Sequence, residues 1–150
     1  MILLCISLIL DGYLSSFIPS NSILLPKLTI TAIYYLHQKY KKKPTTYLTI
    51  LIVLGIIYDL LYTNIILFHS IVFYFIGKFI IYIKDKYNKQ PSILGLILTI
   101  TTYEIIVFLL INLFNISNTS LQTLMLIIIN SMLLNIIYLK IISFIQKSST

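Results

Sequence analysis

The sequence predicts an all-α transmembrane protein, a six-span helical bundle forming a single integral membrane domain over residues 1–150. Composition is the first reason: 59% of the 150 residues are hydrophobic and only 10% are charged, whereas soluble domains carry about 25% charged residues. The second reason is that the apolar runs are continuous, which favours helices over the alternating strands of a membrane barrel. The third is that lysine gathers in alternate gaps between these runs.

Six apolar segments qualify as spans, some of them at the short end, since about 17–25 apolar residues cross the hydrocarbon of a bilayer. They cover residues 2–18, 23–37, 47–62, 65–83, 93–114 and 121–145. Turn-forming residues separate them, such as the Pro-Ser-Asn-Ser cluster over 19–22 and the lysine run before Pro44. The gap at Thr63–Asn64 is very short, so spans three and four are predicted to form a tight helical hairpin.

Lysine placement predicts the orientation of the chain in the membrane. The lysines near the gaps after spans two and four and at the C-terminal end are Lys39, Lys41, Lys42, Lys43, Lys84, Lys86, Lys89, Lys140 and Lys147. The alternate gaps hold almost none, with only Lys27 near them. By the positive-inside rule both termini are predicted to be cytoplasmic. The lysine-rich face would attract anionic membrane lipids.

Composition and motifs also exclude several classes of function. The net charge is +7, but all of the basic residues are lysines, and arginine is the residue that binds phosphates and bases bidentately. Nucleic-acid binding is therefore not expected. One cysteine and two histidines are too few for a metal site. No HExxH, GxSxG, Walker A or GxGxxG pattern occurs, so neither an enzymatic activity nor a cofactor is expected.

Polar residues within the spans are the candidate functional residues, because a charge inside a membrane needs a partner or a wet cavity. Three of the four acids fall within spans: Asp11, Asp59 and Glu104. For Asp11, a structural hydrogen bond and a functional role are equally good explanations. For Asp59 and Glu104, a functional or partner-facing role is favoured, and the alternatives are an interhelical hydrogen bond or a tolerated, protonated carboxyl group.

Three further polar residues complete the candidate set. Lys27 and Asp59 are predicted to lie at matching depths on consecutive antiparallel spans, so an ion pair between them is expected. His69 lies about as far beyond the outer turn as Asp59 lies before it, and the hairpin would bring the two level. A proton relay is one interpretation of His69, but a structural histidine is favoured. Asn135 shares a helix face with Ser131, and internal hydrogen bonding is favoured over partner binding for this face.

The stretch from Gly55 to Thr63, which reads GIIYDLLYT, resembles the MreD family of bacterial rod-shape-determining membrane proteins. That family carries a Gly-x-x-x-Gly-x-x-x-Asp pattern in a central helix, then a turn with Thr or Ser, then a further helix with Gly. The matching positions, together with a proline at the entry to the second helix, are Pro26, Gly55, Asp59, Thr63 and Gly77. Leu51 and Leu67 stand where the family commonly has glycine. The resemblance covers nearly the whole chain.

The resemblance implies a non-enzymatic scaffold of the cell-elongation machinery, which builds peptidoglycan, in the bacterial inner membrane. Its implied partners are a single-span MreC-like protein and, through it, an MreB-like filament and the RodA–penicillin-binding-protein synthase pair. It also implies a fold like the substrate-binding S components of energy-coupling-factor transporters. A vitamin-binding transporter subunit is therefore the alternative, and a membrane assembly or immunity-type protein is a third class. An S component would show an outward cavity lined by polar and aromatic groups.

Overall fold

The structure, a computed structural model, describes residues 2–17, 27–63, 65, 67–87, 92–114 and 120–147. Its helices are α1 (Ile2–Phe17), α2 (Leu28–Leu36), α3 (Pro44–Tyr62), α4 (Phe68–Tyr87), α5 (Ile93–Leu113) and α6 (Leu121–Lys147). No strand occurs within these ranges, so the all-α prediction is confirmed. Three of the helices, α3, α5 and α6, are long and apolar enough to cross a membrane.

The ends of several helices follow local sequence signals. Pro44 occupies the first turn of α3, where its missing N–H is not needed and its fixed φ suits a helix. The hydroxyl of Ser92 caps α5 by accepting a hydrogen bond from the Gly95 N–H at 3.1 Å. Helix α4 runs past its predicted span into a last turn that carries Lys84 and Lys86, where cations stabilise the helix dipole.

The central helix of the bundle is α2, which contacts α1, α4, α5 and α6. Eight of its nine residues are buried, and a helix that is apolar on all its faces suits such a position. At about 1.5 Å per residue, it is much shorter than the ~30 Å of bilayer hydrocarbon. The described part of the chain therefore contains no full-length helix for the predicted span over residues 23–37, whose first residues, 23–26, lie outside it.

Helices α3 and α4 pack against each other as an antiparallel hairpin, as the short gap between their spans predicts. Gly55 of α3 lies directly against the backbone of His69 and Ser70 on α4, with no room for a Cβ atom. Farther along the hairpin, Gly77 of α4 faces the side chain of Leu51. Leu51 is fully buried and fills the space beside Gly77, so the large side chain on α3 is accommodated by a glycine on the opposite helix.

The two hairpin glycines are expected to differ in their tolerance of a methyl group. A Cβ at Gly55 would meet backbone atoms, which cannot move without parting the two helices, whereas a Cβ at Gly77 would meet mainly leucine side-chain tips. We expect Gly55→Ala to lower the free energy of unfolding by about 2–3 kcal/mol. Gly77→Ala should cost less than about 1 kcal/mol, because alanine also favours the helix. Unfolding in detergent measures both, and equal losses would contradict the close contact at Gly55.

The lysine-bearing connections lie at one end of the bundle. Residues 39–43 lead from α2 into α3. The Nζ of Lys84, near the end of α4, donates to the Tyr34 carbonyl of α2 at 3.1 Å and lies 4.2 Å from the centroid of the Tyr34 ring. The Tyr34 hydroxyl in turn hydrogen-bonds to the backbone of Ser92 at the start of α5. The end of α3 and the start of α4 therefore lie at the opposite end. Lys89 is outside the described residues.

Candidate functional site

A cavity of about 360 Å³ opens at the end of the bundle opposite these lysines. Its walls come from the second half of α1, from Lys27, from the turn between α3 and α4 with its flanking residues, and from the second half of α5. The polar lining residues are Asp11, Ser15, Lys27, Thr63 and His69, and the aromatic lining residues are Tyr58, Tyr62, Phe68 and Tyr103. Small-molecule pockets run from roughly 300 to 1,000 Å³, so the cavity is large enough for a small ligand.

Asp59 caps the start of α4 from the end of α3. Its Oδ1 and Oδ2 accept the backbone N–H of His69 at 3.1 and 2.9 Å, and Oδ1 also accepts the hydroxyl of Thr63 at 2.9 Å. The first N–H groups of a helix have no partner within it and carry the positive end of its dipole. Asp59, which is only 2% exposed, thus supplies an acceptor and a negative charge where water is excluded.

The ring of His69 makes a second contact with the same carboxylate. Its Nδ1 lies 2.7 Å from Oδ1 of Asp59, so the hairpin brings the two residues level, as predicted. Oδ1 also accepts the N–H of His69 and the hydroxyl of Thr63, and the imidazole tautomer that would add a further donor to it is the one with its proton on Nδ1. The ring packs against Tyr58, Phe68 and Phe73, with centroid distances of 4.4, 5.1 and 5.7 Å. These contacts hold the imidazole in one orientation in the cavity wall.

The predicted ion pair between Lys27 and Asp59 is wrong. In the described part of the chain, Asp59 pairs with His69, and Lys27 forms no ion pair. The backbone N–H and the ring of His69 are brought to the carboxylate by the same hairpin that positions Asp59 itself. Lys27 lies at the same end of the bundle as Asp59, but its amine does not reach a carboxylate that already has these donors.

Asp11 caps α2 in the way that Asp59 caps α4. Its Oδ1 accepts the N–H of Leu28 and its Oδ2 accepts the N–H of Thr29, both at 2.8 Å. Asp11 lies well before the end of α1, so α2 begins level with the interior of α1. A helix that begins inside a bundle needs an acceptor from the protein, because its first N–H groups have no partner within the helix and are buried there. This internal start explains why α2 is shorter than its predicted span.

Lys27 immediately precedes α2 and is half-buried in the cavity wall. Its Nζ lies 5.5 Å from the centroid of the Tyr103 ring, which is within cation–π range. The acids Asp11 and Glu104 are near enough to act on it electrostatically, but neither comes within ion-pair distance. The structure therefore brings Lys27, Asp11 and His69 together around one cavity without joining Lys27 to a counter-ion.

Glu104 stands apart from the two helix caps. It is buried on α5, with 5% of its surface exposed, and it does not line the cavity. Its Oε1 has no hydrogen-bond partner among the described residues. The charge that acts on it most directly is the ammonium of Lys27.

Asn135 joins α6 to α2 rather than facing the cavity. It is fully buried, its Oδ1 accepts the hydroxyl of Thr31 at 2.6 Å, and its Nδ2 donates to the Ser131 carbonyl at 2.7 Å. Nearby on α6, the hydroxyl of Tyr138 lies 2.7 Å from that of Ser7 on α1. Hydrogen bonds to α2 and α1, together with bonds within α6, therefore account for the polar groups on this face of α6.

Leu67, just before α4, has a φ of 70°, in the left-handed region that favours glycine. The side chain is 51% exposed, so its packing contributes little.

We expect Leu67→Gly to raise the free energy of unfolding by about 1 kcal/mol, because the relief of strain exceeds the added entropy of the unfolded chain. Thermal unfolding in detergent measures the change. Leu67→Ala keeps the strain and is the control. A gain for alanine equal to that for glycine would contradict the explanation from backbone conformation.

Four of the five positions that carry the family resemblance lie in the α3–α4 hairpin. Gly55 and Gly77 allow the helices to approach, and Asp59 and Thr63 form the cap of α4. Pro26, the fifth position, lies outside the described residues.

Sequence reasoning did not single out Tyr58 and Tyr103 as cavity-lining residues. The signal that was available is their position, because each directly precedes a buried acid, Asp59 or Glu104. Acids within apolar segments stand out in a sequence because a charge there is costly. Tyrosine is common throughout this chain and is usually explained as an interfacial residue, so these two did not stand out.

The site can bind through one ammonium group, several hydroxyls and a set of aromatic faces. Within the described ranges, no three His, Cys, Asp or Glu side chains come together in a way that could hold a metal ion. Comparison with known proteins finds no matching protein-family model, no matching curated protein and no matching solved structure.

Proposed function

We propose that this chain is a non-enzymatic scaffold of the cell-elongation machinery in the bacterial inner membrane, where it binds an MreC-like single-span protein. The α3–α4 hairpin is the observation that supports this function. Gly55, Asp59, Thr63 and Gly77, which carry the resemblance to MreD, fit one packed unit: two residues let the helices approach and two cap α4. Matches that share one structural purpose support a resemblance more strongly than scattered identities.

The proposal includes a multi-pass arrangement with both termini in the cytoplasm. The lysines at one end of the bundle are Lys39, Lys41, Lys42, Lys43, Lys84 and Lys86. The positive-inside rule assigns that end to the cytoplasm. Six crossings are compatible with this if α2 is a short crossing that begins inside the bundle on the carboxylate of Asp11. The cavity then faces the outside of the cell.

The surface proposed for the partner is apolar and lies within the membrane. Helix α6 carries an exposed apolar stripe at intervals of four residues, formed by Leu121, Met125, Ile129, Leu133, Ile137 and Ile141. A single-span partner could pack along this stripe, because helices associate in lipid through close van der Waals contact. Through that partner the chain would join an MreB-like filament and the RodA–penicillin-binding-protein synthase.

Depletion of the protein in its host tests the proposed function. We expect the cells to become wider and rounder as the protein is lost, and re-expression of the wild-type chain to restore their width. An unchanged cell width after full depletion would contradict a role in elongation.

A second candidate function is favoured by the cavity: a small-ligand-binding subunit similar to the S components of energy-coupling-factor transporters. Polar and aromatic residues line the cavity together, which is the arrangement expected of such a subunit. Native mass spectrometry of the freshly purified protein tests this function. A bound small molecule that is released on unfolding would support it, and a protein of bare chain mass in every preparation would contradict it.

A further inference from the structure

The polar groups around the cavity differ in whether their hydrogen-bonding capacity is already used. The carboxylate of Asp11 accepts the first N–H groups of α2. The carboxylate of Asp59 lies behind His69 and accepts both its backbone N–H, in the first turn of α4, and a contact from its imidazole. The ammonium group of Lys27 forms no ion pair with a described residue, although it is half-buried in the wall. The charge that remains available to a ligand is therefore positive.

The donors available in the cavity are few, and this limits the kind of anion that fits. The N-termini of α2 and α4 would otherwise be anion-binding positions, but Asp11 and Asp59 already occupy them. What is left is the single ammonium group of Lys27, with Tyr58 and Tyr103 near it. The hydroxyl of the third lining tyrosine, Tyr62, already donates to the Leu8 carbonyl. A phosphate carries up to two negative charges and needs several donors, whereas a carboxylate carries one charge and is matched by one lysine.

The rest of the cavity wall favours a ligand whose carboxylate is attached to a flat apolar group. The rings of Tyr58, Phe68 and Tyr103 line it, with Val107 and Ile111 beside them. Aromatic faces stack well on planar groups. The ammonium of Lys27 sits 5.5 Å from the centroid of one of these rings, so charge and aromatic surface lie within the length of one small molecule.

We propose that the cavity binds a small organic carboxylate with a planar apolar body, held through an ion pair with Lys27. This inference rests on the second candidate function and leaves the scaffold function in place. Two acids compete for Lys27 electrostatically. Asp11 lines the cavity, but its oxygens already accept the first N–H groups of α2, whereas Glu104 acts from outside the cavity lining. In the proposed complex, the ligand supplies the carboxylate contact that Glu104 does not make.

Binding of 2-naphthoate to the purified full chain in detergent tests the proposal, with 2-naphthamide as the neutral compound of the same shape. We expect the acid to bind at least about tenfold more tightly than the amide, as a charge-assisted contact predicts. Lys27→Met should abolish this preference. Lys78→Met, at an exposed lysine on α4 that does not line the cavity, should retain it. Glu104→Gln should bind the acid at least as tightly as wild type.

Three results would overturn the proposal without excluding the second candidate function. One is equal binding of the acid and the amide by the wild-type protein, which decides the matter even if Lys27→Met fails to fold. Another is an undiminished preference for the acid in folded Lys27→Met. The third is a non-acidic molecule identified in the cavity by native mass spectrometry, which would keep the ligand-binding function but exclude a carboxylate ligand. If no small molecule binds at all, the inference and the second candidate function fail together.

Discussion

Replacing Asp59 with leucine is expected to lower the free energy of unfolding by about 3–5 kcal/mol. The substitution removes the acceptor for the backbone N–H of His69, the hydroxyl of Thr63 and the imidazole of His69. The backbone N–H and the imidazole of His69 are buried in the hairpin and cannot turn to water, and they account for most of the loss. The half-buried Thr63 hydroxyl can turn to another acceptor. Reversible unfolding in detergent, followed by loss of helical circular dichroism, measures the change.

Two control variants distinguish the effect of losing the helix cap from the effect of losing a negative charge. Asp85→Leu removes an exposed acid near the end of α4 and should change stability by less than about 0.5 kcal/mol. His69→Leu keeps the backbone N–H that Asp59 accepts and should cost less than Asp59→Leu. A loss at Asp59 no larger than that at Asp85 would contradict the capping role.

Replacing Asp11 with leucine is expected to cost about 2–4 kcal/mol, since two buried N–H groups lose their acceptor and each unsatisfied group costs about 1–3 kcal/mol. The effect should concentrate in α2, because Leu28 and Thr29 donate to this carboxylate. Hydrogen exchange followed by mass spectrometry should show faster exchange in the α2 peptide, while the α3–α4 peptides keep their protection.

Asp11→Asn is the matched control for this second prediction. The amide keeps one acceptor oxygen of nearly the same shape, so its loss should be roughly half that of leucine. If the α2 peptide of Asp11→Leu exchanges its amide hydrogens at the wild-type rate, the Asp11 carboxylate does not hold the start of this helix.

The two carboxylates therefore bear on function indirectly. Asp11 and Asp59 hold the starts of two helices that border the cavity, so their loss would disturb the fold as well as any binding. A phenotype from either variant cannot be assigned to contact with a partner or a ligand. Lys27 and the exposed stripe of α6 are better places to separate ligand binding from partner binding, because neither makes a helix cap.

Much of the helical architecture could be predicted from the sequence because its determinants are local. Pro44 and Ser92 fix the starts of α3 and α5 through groups within one turn. The short gap after Tyr62 leaves α3 and α4 only an antiparallel arrangement. The lysine runs mark the ends of the apolar segments, so the order of helices and turns follows from hydropathy and charge alone.

The start of α2 and the partner of Asp59 could not be predicted, because each depends on a contact that hydropathy does not report. Helix α2 begins on Asp11, a residue 17 positions earlier in the chain. The carboxylate of Asp59 accepts the backbone N–H of His69. The position of this donor is set by the turn between α3 and α4 and does not depend on the residue type. The predicted pair of Lys27 and Asp59 was based on the charge and depth of side chains alone. It therefore could not include the backbone N–H of His69 as a competing donor.

Co-purification with the MreC-like protein of the host tests the central claim, binding of a single-span elongation partner, most directly. The tagged full chain would be extracted from host membranes in mild detergent, and its companions identified and quantified by mass spectrometry. The account predicts that the MreC-like protein is recovered in stoichiometric amount with wild type and with Lys27→Met, and is reduced by Ile129→Trp on the α6 stripe. Recovery of the MreC-like protein no higher than from an untagged strain would contradict it.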